Sequence, residues 1–336
     1  MNVLLTGGAG YIGSHTAIAL SEAGHKVFLL DNFCNSSQSV LNRLEKILGK
    51  KITCIQADIR NTQIVFETLQ DYQIHAVVHF AGLKAVGESV KTPIEYYANN
   101  VQGTISLLEA MKLARVKTLV FSSSATVYGD PQYLPIDEHH PTGATNAYGR
   151  SKLHIEEMLK DVSQSDNEWK ILCLRYFNPV GAHSSGLIGE DPDGIPNNLS
   201  PFVAQVAAGK LPTLNVFGND YPTPDGTGVR DYIHVMDLAM GHLAALNYLI
   251  DHSGWDAINL GTGNGYSVFD LVEAYQQASN KTIAFQVVER RPGDIASCYA
   301  NADKAKNLLG WHAQHDLLTM CSSSWKWQQY RQSAPN

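Results

Sequence analysis

The chain has 336 residues, 44% of them hydrophobic, enough for one large domain or two ordinary ones with a substantial core. Its formal net charge of -7 and pI near 6.0 exclude a basic nucleic-acid-binding face, so any anionic ligand must be met by a few local cations. No run of eighteen or more apolar residues occurs, which argues against a transmembrane helix.

In chain order, the first half alternates short apolar runs with amphipathic stretches. NVLLT opens the series and is followed by a helical pattern from Tyr11 to Ala23; KVFLLD precedes a helix from Val40 to Leu48. ITCIQ precedes a helix from Thr62 to Leu69, and HAVVHF leads to a long helix candidate from Pro93 to Ala114, then TLVFSSS. Short strands alternating with helices indicate βαβ units and a parallel sheet covered on both faces. A helix begins near Tyr148, ILCLRYFN reads as a sixth strand, and AINLG reads as another buried strand before the helical VFDLVEAYQQAS. Between them lie GEDPDGIPNNL and GNDYPTPDGTGVRDY, whose Pro, Gly and Asn content marks a functional surface rather than a linker. The expected fold is α/β, a doubly wound parallel sheet (Rossmann) with a smaller interleaved α/β substrate domain. The expected division is 1–177 plus about 231–262 for the dinucleotide half, and about 178–230 plus 263–336 for the substrate half.

The five cysteines form no CxxC pair, and the chain opens directly on the strand-like MNVLLT without a charged leader. A reduced, cytoplasmic protein is the expectation, in which the sequons at Asn35, Asn198 and Asn280 stay unmodified. There are 13 histidines but no HExxH, and His139 and His140 share a Pro-flanked polar loop, so no metal site is expected.

LLTGGAGYIGSH places Gly7, Gly8, Gly10 and Gly13 between the first strand and first helix, the context in which small residues let a backbone approach a pyrophosphate. Asp31 follows Gly13 by eighteen residues at the end of the second apolar run, where a carboxylate binds a ribose diol and repels a 2′-phosphate. NAD is therefore favoured over NADP. The segments ADIR at Asp58 and HFAGLK at Phe80 to Lys84 follow the third and fourth strands and fall on the same side. In NAYGRSK, Tyr148 is the only one of fifteen tyrosines with a lysine four residues on, so Lys152 shares its helical face. On these residues alone the pair is either an acid/base phenol tuned by a cation or a packing tyrosine beside a solvated lysine.

GGAGYIG, SSSATVYG, YGRSK and RYFNPVGA together resemble the extended short-chain dehydrogenase/reductase family. HFAGLKAVGES, IPNNL, GNDYPTPDGTGVRDYIHV and RRPGD are more specifically similar to its UDP-hexose 4-epimerases, over essentially the whole chain. The resemblance implies interconversion of UDP-galactose and UDP-glucose through a 4-keto sugar, with a tightly bound NAD recycled in place and no metal. It implies Tyr148 as acid/base, Lys152 as its tuner, and Ser124 as a hydrogen-bond partner of the sugar 4-oxygen. Gly7, Gly10, Tyr11, Ile12, Gly13, Asp31, Asn32, Asn35, Asp58, Ile59, Phe80, Ala81, Gly82, Lys84, Asn99 and Phe177 would line the cofactor site, with Tyr148 and Lys152. Asn178, Asn198, Leu199, Phe217, Arg230, Arg291, Asp294 and Cys298 would face the nucleotide sugar, with Ser124 and Tyr148.

A phenol poised near neutrality needs about three pKa units, roughly 4 kcal/mol, of help from neighbouring cations. Lys152 and a positive nicotinamide ring are the expected sources. Related dehydratases carry Asp and Glu immediately after the position of Ser124; Ala125 and Thr126 here cannot perform an elimination. The remaining alternatives are a dehydrogenase that releases NADH and a non-catalytic NAD-binding protein. Cys298 stands where relatives restricted to unsubstituted hexoses carry a tyrosine, so UDP-GlcNAc and UDP-GalNAc are expected substrates, unless Cys298 merely packs or Tyr299 fills the space. A homodimer through Pro93 to Ala114 and Tyr148 to Val162 is implied by the resemblance alone, with a UDP-sugar as partner and neither nucleic acid nor membrane.

Overall fold

A computed structural model describes residues 1–192, 196, 198–291 and 293–333. Asp193, Gly194, Ile195 and Asn197 of GEDPDGIPNNL, Pro292 of RRPGD and the terminal 334–336 lie outside the described residues.

The first half is regular βα alternation: β1 (Asn2–Thr6), α1 (Tyr11–Glu22), β2 (Lys26–Asp31), α2 (Ser39–Leu48), β3 (Thr53–Gln56), α3 (Thr62–Asp71) and β4 (Ala76–His79). After β4 come α4 (Val86–Lys91), α5 (Pro93–Tyr96), α6 (Gln102–Ala114), β5 (Thr118–Ser124), α7 (Ala147–Ser165) and β6 (Lys170–Tyr176). The chain then leaves the sheet through β7 (Asn178–Val180), α8 (Leu199–Ala207), β8 (Leu214–Phe217), β9 (Val229–Arg230) and β10 (Tyr232–His234). It returns through α9 (Val235–Asp251) and β11 (Gly254–Leu260). The last elements are β12 (Tyr266–Ser267), α10 (Val268–Ser279), β13 (Phe285–Val288), β14 (Ser297–Cys298), α11 (Asp303–Leu309) and α12 (Leu317–Ser333).

Seven strands form one parallel sheet in the order β11-β6-β5-β4-β1-β2-β3, the doubly wound arrangement expected from the sequence. The chain winds outward in both directions from β1, so the carboxyl ends of β1 and β4 flank the crevice where such sheets bind ligands. The strands are apolar on both faces because helices cover both. Leu5, Leu29, Val78 and Leu172 face the core under α1 and α9, whereas Leu4, Phe28, Val77 and Leu119 face the core under α3, α6 and α7. Each fully buried side chain of this kind contributes about 1.5–3 kcal/mol, an upper estimate.

A smaller core gathers Val203, Val216, Leu271, Tyr275 and Met320 from α8, β8, α10 and α12. Its strands lie in three short sheets, β10-β7, β12-β9-β14 and β13-β8. Helix α11 does not join it: Ala305 and Trp311 belong to the core under α1 and α9, although they lie beyond residue 262. The long helix expected over Pro93–Ala114 is interrupted by a π turn at Tyr97–Val101. Such one-residue insertions cost regularity and recur at functional sites; here the turn carries Asn99 and Asn100.

Asp231, completely buried between β9 and β10, ties that stretch of chain to the segments at Thr262 and Ala300. Its carboxylate accepts from Thr262 N at 2.9 Å, Thr262 Oγ1 at 2.7 Å, Gly263 N at 2.9 Å and Ala300 N at 3.1 Å. Removing it leaves four donors without their acceptor, the Ala300 amide among them fully buried. We expect Asp231→Ala to lose about 3 kcal/mol or more of stability, read as a fall in the urea midpoint at unchanged slope; an unchanged midpoint contradicts this account of the junction.

Candidate active site

The turn from β1 into α1 fits a dinucleotide. At Gly7, φ is +66° and an added Cβ would lie 2.7 Å from Ala81 N, while at Gly13 it would lie 2.5 Å from Gly7 O. Side chains at either position would push apart the turn, the β4 loop and the helix start. Gly10 caps α1 without a side-chain hydrogen bond, so the amides of the first turn remain for an anion. Asp31 ends β2 and accepts from Ala9 N at 2.9 Å, Phe33 N at 2.9 Å and Ser36 Oγ at 3.0 Å. These bonds fix both oxygens at the mouth of the turn, with lone pairs left for a ribose diol. Asp58, at the end of the β3 connection, accepts from Asn32 Nδ2 at 3.2 Å and from the Arg60 guanidinium at 2.7 and 2.8 Å. The Arg60 hydrogen bonds hold its carboxyl well below the usual range. Ile59 is buried, Ile12 packs on the main core, and Asn35 is exposed in the loop after β2.

The β4 loop is held by a residue that the sequence reading passed over. Asn100 accepts from Leu83 N at 2.8 Å and donates to Leu83 O at 3.0 Å and Ser151 Oγ at 3.1 Å. Asn99 Nδ2 donates to its side-chain oxygen at 3.2 Å. The π turn directs Asn100 inward, so Phe80, Ala81 and Gly82 are fixed between the glycine turn and α7. The doublet Asn99-Asn100 was the available signal. At the far end, Tyr11 Oη donates to Gly181 O at 2.7 Å, and Lys84 Nζ lies 6.0 Å from its ring. Glu190 was also passed over: its Oε1 accepts from Lys84 at 3.3 Å and Asn198 Nδ2 at 2.9 Å, so one residue expected at the cofactor and one expected at the substrate share an acceptor.

Helix α7 begins at an Asn146 cap, whose side-chain oxygen accepts from Gly149 N at 2.8 Å. This start places Tyr148 in the first turn and Lys152 one turn later, both facing β5. Lys152 is 4% exposed and donates to Ser122 O at 2.7 Å; its ammonium lies 4.8 Å from the Phe121 ring and 5.9 Å from the Tyr148 ring. It is therefore not the solvated lysine of the bland alternative. Burial lowers its pKa to about 8, against the pull of Glu156. Ser124 ends β5, its hydroxyl accepting from Thr126 Oγ1 at 3.0 Å.

The Tyr148 phenol departs from expectation. Burial pushes its pKa above the ordinary tyrosine value, and the neighbouring Ser124 hydroxyl opposes this. The depression expected from Lys152 is not delivered by the polypeptide alone, because the ammonium is directed to the Ser122 carbonyl and the phenol is desolvated. What remains to lower it is the positive charge of an oxidised nicotinamide.

The expected nucleotide-sugar residues fall into two groups. Arg291 Nε donates to Asp294 Oδ2 at 2.9 Å, and its guanidinium lies 4.5 Å from the Phe217 ring. Arg230 and Cys298 are register partners across β9 and β14. No hydrogen bond or ion pair among the described residues links Arg230 to the first group. Asn178 is exposed at the start of β7, Asn198 and Leu199 open α8, and Phe177 is buried beside Val127, Tyr128 and Ile136. Cys298 packs on that same cluster with Ala125 and Leu153. Tyr299, just past the end of β14, lies against Gly265, where an added Cβ would be 3.1 Å from its ring. The ring therefore does not fill the space beside Cys298.

Comparison with known proteins agrees with this geometry. The family model described as GDP-mannose 4,6 dehydratase matches residues 4–324. A curated UDP-glucose 4-epimerase of Bacillus subtilis is 57% identical over 98% of this chain and 97% of its own. The crystal structure of the Stenotrophomonas maltophila UDP-glucose-4-epimerase with bound NAD and formylated UDP-arabinopyranose superposes with a TM-score of 0.97 at 51% identity, covering 99% of both chains. That of the Bifidobacterium longum UDP-glucose 4-epimerase, in complex with NAD+ and UDP, gives 0.95 at 53% identity over 99% of both. With more than half of its residues shared end to end, and with Ala125 and Thr126 where a dehydratase needs carboxylic acids, the chain belongs to the UDP-glucose 4-epimerase family of extended short-chain dehydrogenases/reductases.

Proposed function

We propose that this protein interconverts UDP-galactose and UDP-glucose, and that the observation carrying the reading is the meeting of Ser124, Tyr148 and the buried Lys152 at the carboxyl end of β5. The cofactor is NAD, which when bound supplies the centre that takes a hydride from the sugar C4 and gives it back. Gly7, Gly10, Gly13 and Asp31 would hold its adenosine diphosphate half, and Lys152, Phe80 and Phe177 its nicotinamide half. Tyr148 takes the proton of the 4-hydroxyl as C4 is oxidised, and Ser124 hydrogen-bonds the same oxygen. Tyr148 must enter this step as the phenolate, which Lys152 stabilises, and leave it as the neutral phenol. After the 4-keto sugar has turned over in the pocket, Tyr148 returns the proton, and the configuration at C4 is inverted.

Arg230 and Arg291 would anchor the diphosphate, since guanidinium groups offer paired donors to phosphate oxygens. Gripping the UDP while leaving the hexose loose is what a reaction on both faces of one carbon requires. The decisive assay supplies UDP-galactose without added nicotinamide. The expected result is conversion to UDP-glucose with no build-up of NADH absorbance; NADH rising with product instead identifies a dehydrogenase, and no conversion at all a non-catalytic protein. Tyr148→Phe should lower kcat by about 10²- to 10⁴-fold with the fold and bound NAD retained, and parental turnover would remove Tyr148 from the mechanism.

The acetamido sugars follow from Cys298. Cys298 packs on the cluster that holds Phe177 and Ala125 with a side chain much smaller than the tyrosine of hexose-restricted relatives, and Tyr299 lies against Gly265. UDP-GlcNAc and UDP-GalNAc are therefore substrates as well. Cys298→Tyr should cut their turnover by about tenfold or more while changing that of UDP-galactose less than about twofold; equal acetamido turnover in both proteins contradicts the gate.

A homodimer is supported by the apolar surface of α4 to α6, where Val90 is 66% exposed, Ile94 78% and Leu113 64%. No described helix is long and apolar enough to cross a membrane. The five free cysteines support a reducing, cytoplasmic setting. Ile94→Glu should shift sedimentation from dimer to monomer, and an unchanged dimer places the interface elsewhere.

A further inference from the structure

Three consecutive serines end β5, and each meets a different group. The Ser122 carbonyl accepts from Lys152 Nζ at 2.7 Å, Ser123 Oγ donates a short hydrogen bond to Glu156 Oε1, and Ser124 presents its hydroxyl to the Tyr148 phenol. Glu156 follows Lys152 by four residues on α7, so both side chains leave one helix face toward one strand. The Glu156 carboxylate also accepts from Arg175 Nη2 at 2.6 Å and Nε at 3.0 Å. The ion pair is almost wholly buried, with Glu156 2% and Arg175 5% exposed. Arg175 Nη1 donates onward to Tyr128 Oη at 3.0 Å, and Tyr128 donates to Asn259 Oδ1 at 2.7 Å, which ties the pair to the neighbouring strand β11.

Stability alone explains such a pair poorly. Desolvation consumes most of the Coulombic gain, and a well-packed apolar pair of similar volume is often as stable. What Glu156 does supply is a fixed negative charge one turn from the Lys152 ammonium. The other groups around that ammonium give it little help. From β5 come the Phe121 ring and the Ser122 carbonyl. From β4 comes His79, kept neutral because burial, then Lys152 itself, lowers its pKa to about 3. From β6 come Cys173 and Tyr176, both held protonated by burial. From α7 itself come Tyr148, also pushed up by burial, and Glu156. Glu156 is the one anion in this set.

We infer that Glu156, anchored by Arg175, is a positioning residue for the reaction: it keeps the Lys152 ammonium charged and, through Ser123, fixes the end of β5 so that Ser124 meets the Tyr148 phenol. It touches neither sugar nor cofactor and acts through its neighbours. The sign of the pH effect follows. Burial already lowers Lys152 to about 8, and Glu156 opposes that fall, so removing the carboxylate lets the lysine lose its proton at still lower pH. The activity that needs the cation then disappears earlier on the alkaline side.

The test pairs two variants, because Glu156→Gln alone leaves a buried guanidinium without its partner. The double variant Glu156→Leu with Arg175→Met replaces the ion pair by apolar side chains. It should fold, as judged by circular dichroism and a cooperative thermal transition, and bind UDP-galactose with KM within about twofold of the parent. Its kcat should fall about tenfold or more, and the alkaline limb of its pH–kcat profile should move down by about one unit. A folded double variant with the parental kcat and alkaline limb overturns the inference. Should the double variant fail to fold, Glu156→Gln decides: it keeps the side-chain shape and an acceptor for Ser123 but lacks the charge, and a parental alkaline limb there is equally fatal. The inference rests on the epimerase reading, which turnover of UDP-galactose by the parent tests first. An inert parent sinks that reading, whereas an active parent with indifferent variants sinks only this inference.

Discussion

A lysine ammonium held inside the protein at the end of one β-strand is the constraint around which the catalytic half is organised. Lys152 is almost fully buried, and an ion in that position is costly unless it is paired and hydrogen-bonded. The Ser122 carbonyl gives it one bond, the Phe121 ring gives it a face, and Glu156 gives it an opposite charge. Each of these partners has to be placed. The cap at Asn146 sets the phase of α7, so that Tyr148, Lys152 and Glu156 all turn toward β5. The register of β5 with β4 and β6 then puts Ser122 to Ser124 opposite them. Local sequence, helix phase and sheet register thus converge on one spot, and chemistry becomes possible there because a charge has been kept where solvent would ordinarily be needed to hold it.

The two ends of the cleft divide the labour. The dinucleotide end is rigid: the glycine turn has no room for a Cβ at Gly7 or Gly13, Asp31 is fixed by three donors, and Asn100 clamps the β4 loop through both the N–H and the C=O of Leu83. Rigidity suits a cofactor that stays in place through each turnover. The nucleotide-sugar end is made of short strands and loops, with Arg230 on β9 and Arg291 in the connection between β13 and β14. In the function proposed, a diphosphate gripped there would leave the hexose with few partners besides Ser124 and Tyr148, which is the freedom a ketone needs to present its other face. Glu190, shared by Lys84 and Asn198, is where the two ends meet.

Much of this was legible in the residues themselves. The alternation of apolar runs with amphipathic stretches gave the parallel sheet, and the spacing from Gly13 to Asp31 located the crevice, because both depend on short-range patterns. Tyr148 and Lys152 could be paired by helical spacing alone, but their state could not. That the lysine is buried and the phenol desolvated depends on β5 and on its sheet neighbours β4 and β6, which come from other parts of the sequence. The same limit hid Glu156 and Glu190, polar residues whose importance comes only from what the fold packs against them, and left Asn100 marked by no more than its doublet with Asn99. The interruption at Tyr97–Val101 was invisible because a π turn keeps the composition of the helix it breaks. The placement of α11 on the main core was missed because its seven residues carry too little pattern to say which core they cover.

The polypeptide on its own raises the Tyr148 phenol rather than lowering it, so the account requires that the resident cofactor's positive charge complete what Lys152 begins. Ultraviolet difference titration of the NAD-loaded protein against Tyr148→Phe measures this directly, since the phenolate absorbs where the phenol does not. The account predicts one tyrosine titrating well below the ordinary value near 10 in the parent and missing from the variant. A Tyr148 that still ionises at or above that value with oxidised NAD bound would contradict it.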